Sequence, residues 1–224
     1  MGLILENRNL NEVNQINFHH PMSITDRKNK EKLEMRKRIL DAARKIFLQK
    51  GYESTSMRNI ASEIDYSAGT IYFHFKDKSE IFHELHKEGF RLLLSQMKIL
   101  DSVAEPFERL KAVGRVFIKF AQDNKDYYNL MFLVEESTSN PTEEGGFQIA
   151  KEAINHLSGI IKECQNDGRF KDMDTEYLTF MILSSVHGIC ALFCKDRTVS
   201  FENKTNEELM QKGYDCFVSL LEKG

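Results

Sequence analysis

Between Thr55 and Lys78 the chain reads TSMRNIASEIDYSAGTIYFHFKDK, a run that crowds hydroxyls, cations and flat rings around a patch of small residues. Thr55, Ser56, Thr70, Tyr72, His74 and Lys78 carry hydrogen-bond donors suited to phosphate oxygens, and Arg58 adds a permanent positive charge. Ser67, Ala68 and Gly69 keep the start of the second half slim enough to enter a major groove about 12 Å wide, while Thr70, Tyr72 and Phe73 offer methyl and ring contacts to base edges. This chemistry grips a polyanion and reads its surface; it does not make or break bonds. Elsewhere no Ser/His/Asp set, glycine-rich phosphate loop or paired-carboxylate motif stands out, so the chain is not expected to be an enzyme and no catalytic residue or cofactor is assigned.

Two short helices joined by a tight turn would position these groups. Met57, Ile60, Ala61 and Ile64 recur at i, i+3, i+4 and i+7, one apolar stripe, with Thr55 or Ser56 placed to cap it. Asp65, Tyr66 and Ser67 break the pattern, and Ser67 can cap a second helix through Phe75 that turns Ile71 and Phe75 inward. A preceding helix, about residues 31–50, carries Met35, Ile39, Ala42, Ala43, Ile46 and Phe47 inward and ends at Gly51, where a C-terminal cap is expected.

Gly51-Tyr52, Thr55-Ser56, Ile60-Ala61, Gly69-Thr70-Ile71-Tyr72-Phe73-His74-Phe75 and Asp77-Lys78 follow one another in the order and at the separations of the DNA-binding head of TetR-family bacterial transcriptional regulators. The chain resembles that family over about residues 34–93; beyond it the likeness is one of general layout. The resemblance implies a three-helix, helix-turn-helix head on a helical-bundle body, a double-stranded DNA operator as partner, and a homodimer whose two heads read two half-sites. It also implies repression relieved by a small effector that enters the body. The residues expected at DNA are Thr55, Ser56, Arg58, Ser67, Ala68, Gly69, Thr70, Tyr72, Phe73, His74 and Lys78.

Composition agrees with an all-α chain: 224 residues with 41% hydrophobic content, three prolines and twelve glycines. The net charge of −3 hides an asymmetry, since residues 26–80 hold 13 Lys/Arg against 9 Asp/Glu and residues 81–224 hold 17 against 23. Positive charge gathers at the proposed head. Residues 1–30 read as a mobile arm, 31–77 as the DNA-binding domain and 78–224 as the effector-binding and dimerisation domain. Four cysteines without a framework spacing, no signal-peptide pattern and no run near 18 apolar residues lead to the expectation of a reduced, cytoplasmic protein with no membrane partner.

After Lys78 a long helix to about residue 100 would act as a lever, followed by helices near 106–124, 127–136, 147–167, 175–195 and 206–222 and a polar loop over 137–146. His83 and His86 lie three apart on the lever with no third ligand spaced nearby, so no metal site is assigned. Phe117, Phe120, Tyr127, Tyr128, Met131, Phe132, Phe147, Phe180, Met181 and His187 are large adaptable side chains from which a cavity for a mostly apolar effector can be drawn; the same list also describes plain helical core. His187, Cys190 and Cys194 share one helical face, which admits either close packing around Gly188 or a thiol- or metal-responsive sensor, and a helical adaptor is a further alternative. His187-Gly188 resembles a His-Gly step in the penultimate helix of one TetR subgroup, from which Val186 departs. Dimerisation is expected through the last two helices.

Overall fold

The computed structural model describes residues 23–135 and 145–223, with the side chains of residues 145–147 left out. Residues 1–22 of the expected arm, most of the polar loop, and the Phe147 side chain lie outside the described residues. Among those residues the chain is all helical, in the order α1 (Ile24–Lys50), α2 (Met57–Glu63), α3 (Ala68–His74), α4 (Lys78–Lys98), α5 (Pro106–Asp123), α6 (Lys125–Phe132), α7 (Gly145–Asn166), α8 (Thr175–Cys194) and α9 (Asn206–Glu222). It divides into two compact units, residues 1–35 and 36–224, and α1 runs through the divide.

α1 starts at Ile24, seven residues before the expected position. Residues 24–30 lack an apolar stripe, so periodicity could not find them. Local polar bonds hold them instead: the Asp26 N–H bonds Ser23 Oγ at 3.1 Å, and Arg27–Glu31 and Lys30–Glu34 pair at i, i+4.

In the second unit α1, α2 and α3 bury Ile39, Ala43, Ile46, Phe47, Ile60 and Ile71. Gly51 takes φ 76° at the end of α1 and its N–H bonds the Phe47 carbonyl at 2.9 Å, a left-handed cap that glycine adopts without a Cβ penalty. α2 is capped by Ser56 in a reciprocal box with Asn59, not by Thr55. It ends in a Schellman motif: the Tyr66 N–H reaches the Ala61 carbonyl at 3.0 Å and the Asp65 N–H reaches Ser62 at 3.4 Å, with Asp65 itself at φ 58°. That motif sets the angle at which α3 leaves α2.

α4 begins at an Asp77 cap and carries Ile81, Phe82 and Leu85 into the same core. The Phe82 ring stands edge-on to Phe47 at 5.2 Å and to Tyr52 at 4.9 Å. The expected boundary at residue 78 therefore runs between packing partners. Farther along, Phe90, Leu93 and Met97 enter the core of the body, which is assembled around α5 through Phe107, Leu110, Val113, Phe117 and Phe120. α9 crosses α5 so closely that a Cβ at Gly114 would lie 2.1 Å from the Tyr214 hydroxyl, which donates to the Lys111 carbonyl at 2.8 Å. α8 turns Leu178, Ile182, Val186, Cys190 and Cys194 inward against its neighbours. By length and composition α8 also meets the criteria for a membrane span, with a mean hydropathy of 1.8 over its best window, and a third of that window is buried within the fold.

Left-handed backbone is costly for residues with a β-branched side chain. Replacing Asp65 by Val is expected to destabilise the protein by about 1–2 kcal/mol, while Asp65→Gly is neutral or stabilising. Urea unfolding of the two variants measures the difference, and equal stabilities would refute the role given to this turn.

Candidate functional site

α3 presents its outer face to solvent. Tyr72 is 57% and Phe73 76% exposed, a rare display for rings on a helix whose Ile71 is fully buried. Gly69 is exposed beside them, and its missing Cβ would meet nothing closer than Ser67 Oγ at 3.6 Å. Ser67 caps the helix by accepting from the Thr70 N–H, and its hydroxyl lies 3.1 Å from that of Thr70. At the other end the Arg36 guanidinium donates to the His74 carbonyl and covers the Phe75 ring at 4.0 Å, which closes the C-terminal turn of α3. Arg58 stands exposed in the first turn of α2.

Of the expected DNA-facing residues, Arg58, Gly69, Tyr72 and Phe73 are exposed, as are Ser56 and Ser67, whose hydroxyls are engaged in caps; Ala68, Thr70 and His74 are half-buried. Two do not fit the expectation. Thr55 is 3% exposed and spends its hydroxyl on the Gly51 carbonyl at 2.7 Å, because the turn after α1 folds back over it. Lys78 points its ammonium at the carbonyls of Tyr52 (2.9 Å) and Glu53 (3.4 Å) and lies 4.2 Å from the Tyr52 ring centre, so it ties α4 to the α1–α2 turn. Arg38, in the basic run that leads into the head, donates from its guanidinium to the Tyr66 hydroxyl at 3.4 Å and overlies that ring beside the α3 cap.

The body holds a cavity of about 310 Å³, partly open to solvent, bounded by α4, α5, α7, α8 and α9 and by Phe132 of α6. Phe117, Phe132 and His187 line it as expected candidates; Phe120, Tyr128 and Met131 are buried away from its wall, and Tyr127 packs under the Arg44 guanidinium at 4.7 Å. Phe180 and Met181, 67% and 60% exposed, lie on the opposite face of α8. That helix is apolar around most of its circumference, so period alone could not select the inward stripe. The wall is completed by Leu110, Val113, Ala153, Leu157, Ile182 and Val218, smaller aliphatics that no aromatic search would collect.

His187 hydrogen-bonds Tyr128 Oη through Nδ1 at 2.9 Å, between the rings of Phe117 and Phe132. Burial lowers its pKa to about 4 and raises that of the Tyr128 phenol, so both are neutral at physiological pH. Burial likewise pushes the Cys190 thiol up to about 12 and that of Cys194 to about 11. A thiol held protonated is a poor nucleophile and metal ligand, which argues against the sensor alternative. Among the described residues no group of three or more metal-ligating side chains gathers.

Residues 39–85 match the family model for bacterial regulatory proteins of the tetR family, and residues 110–216 match the tetracyclin repressor-like C-terminal domain. An HTH-type transcriptional regulator of Staphylococcus aureus (strain bovine RF122 / ET3-1) is 35% identical over 179 residues, 79% of this chain and 91% of its own length. Among solved structures, the TetR family regulator PfmR of Thermus thermophilus superposes with TM-score 0.67 at 23% identity, over 83% of this chain and 97% of that one. FadR of Bacillus subtilis, in complex with stearoyl-CoA, gives 0.66 at 20%, over 81% and 97%. At these identities the two structures attest the fold.

Gly69 has room for a side chain within the protein, and a helical glycine costs up to about 1 kcal/mol relative to alanine. Gly69→Leu is therefore expected to keep or raise thermal stability while weakening duplex DNA binding at least about tenfold. Unchanged affinity would remove α3 from the interface. For His187 the folded pKa lies below the ordinary 6.5, so the unfolded chain takes up the proton first. The stability gained by keeping it neutral is complete above about pH 6.5 and drains away toward about pH 4. Relative to His187→Phe, the wild type should lose roughly 2–3 kcal/mol across that interval, measured by urea unfolding; a constant difference would show that the ring is not held neutral by burial.

Proposed function

The chain belongs to the TetR family of bacterial transcriptional regulators, and from that footing we propose that it is a homodimeric repressor released from its operator by a small, largely apolar effector. The DNA-binding role rests on the open face of α3. The regulatory role rests on one observation above others: α6 touches both ends of the machine. Tyr128 of α6 bonds His187 in the cavity wall and Phe132 lines the cavity, while the neighbouring Tyr127 packs on Arg44 of α1 and the Leu130 carbonyl lies 2.9 Å from His86 Nε2 on α4. A molecule that fits the cavity better in one placement of α6 than in another changes the energy of α4 and the head by that difference, and only by that difference. The wall is almost entirely hydrocarbon, which favours an apolar effector; of the stearoyl-CoA held by the FadR neighbour, only the acyl chain has that character.

Dimerisation is assigned to α8 and α9. Tyr177, Phe180, Met181 and Leu192 expose apolar surface along one side of α8, Leu220 does so on α9, and Gly188 leaves open space for close approach. A second copy seated there would cover a face too apolar to remain in water, and would set the spacing of two heads on one operator. A chromosomal operator as partner supports a cytoplasmic location.

The reading is tested by titrating the protein with duplexes from its own upstream region at two salt concentrations. Tight binding that weakens steeply with salt is expected, and Arg58→Ala should weaken all sequences alike while lowering the log–log salt slope by about one. Absence of affinity for any duplex at low ionic strength would end the assignment.

A further inference from the structure

Among the described residues, two side chains of the cavity wall carry an ionisable nitrogen able to meet a polar ligand, and they stand in different electrical states. Lys111 lies along the wall, but its ammonium is 2.6 Å from Glu108 and 3.2 Å from Glu222. Two carboxylates already surround one cation, so this corner holds no spare positive charge for an anionic ligand. A third polar residue of the wall, Tyr214, spends its hydroxyl on the Lys111 carbonyl.

His187 is the other corner. Nδ1 is engaged by Tyr128, whose hydroxyl also lies 3.2 Å from the carbonyl of His187 itself. None of the described residues bonds Nε2. The Tyr128 proton has two acceptors within reach: given to Nδ1, it leaves Nε2–H as a donor; given to the carbonyl, it lets Nδ1–H donate to the phenol and leaves Nε2 as an acceptor. A ligand hydroxyl suits either tautomer, because it both donates and accepts. A carboxylate would be stripped of water beside a neutral ring, and an ammonium would lose its shell against hydrocarbon; neither finds a partner charge to offset the loss.

We propose that the effector is an uncharged, predominantly hydrocarbon alcohol whose hydroxyl bonds His187 Nε2, and that the cavity discriminates against carboxylates and amines of the same chain. This rests on the assignment of the cavity as the effector site. It narrows that assignment from apolar molecules in general to a neutral class, and separates this chain from binders of acidic ligands.

Calorimetric titration of the full-length protein with octanol, octanoate and octylammonium near neutral pH tests it. Octanol is expected to bind at least about tenfold more tightly than either charged probe, and His187→Phe, which keeps the ring and removes both nitrogens, should weaken octanol about tenfold and close the gap. If octanoate or octylammonium binds the wild type as well as octanol does, the proposed class is wrong and the cavity assignment stands; the same holds if His187→Phe leaves octanol unaffected. If none of the probes binds, or if octanol binds equally well to Ala153→Phe, in which the new ring fills the cavity, both the class and the cavity assignment fall. The wild-type series needs no variant to fold.

Discussion

Phe82 belongs to α4, yet its ring completes the aromatic cluster of Phe47 and Tyr52 that holds α1 and its following turn together. Lys78, one turn earlier, adds bonds to the Tyr52 and Glu53 carbonyls. Because the first turns of α4 are core to the head and its later turns are core to the body, α4 cannot shift at one end without cost at the other. A rigid connection of this kind is what a two-state regulator requires, since interdigitated rings have discrete packings and do not bend continuously.

The head is held tightly in order that one surface can be left open. Ile71 is fully buried, the Ser67 cap and the Arg36 bond to His74 close both ends of α3, and Asp65 accepts a left-handed conformation to set its exit angle. Against that frame Tyr72 and Phe73 leave most of their ring surface in water. Exposed rings on a helix so firmly fastened are consistent with selection for a partner surface.

In the body the same logic runs inward. Hydrocarbon lines a cavity interrupted by one neutral imidazole, one phenol spent on a backbone carbonyl and one cation already enclosed by acid; on the proposed reading, selectivity there would come from what the wall refuses as much as from what it offers. The His187–Tyr128 bond gives that wall a direct connection to α6, and the adjacent Tyr127 faces Arg44. On the proposed reading, recognition and response are carried by neighbouring residues of one eight-residue helix.

The residue order alone determined the helical class, the Gly51 cap, the Ser67 cap, the inward stripe of α2 and the family of the head, because each depends on local periodicity or on a fixed spacing of a few residues. Tertiary structure decided what such patterns leave open. Thr55 and Lys78 have the right chemistry for phosphate, but a chain that folds back at Gly51 brings backbone carbonyls within their reach, four residues away for Thr55 and 26 for Lys78. α8 offered no polar face to break its symmetry, so only packing against α5, α7 and α9 could separate Ile182 and Val186 in the wall from Phe180 and Met181 outside it. α1 ran the other way: its first turn hides no apolar surface and is held by caps and charge pairs that a search for buried stripes does not register. Periodicity reports which side of a helix is apolar, whereas a cavity exists only where several such sides fail to meet.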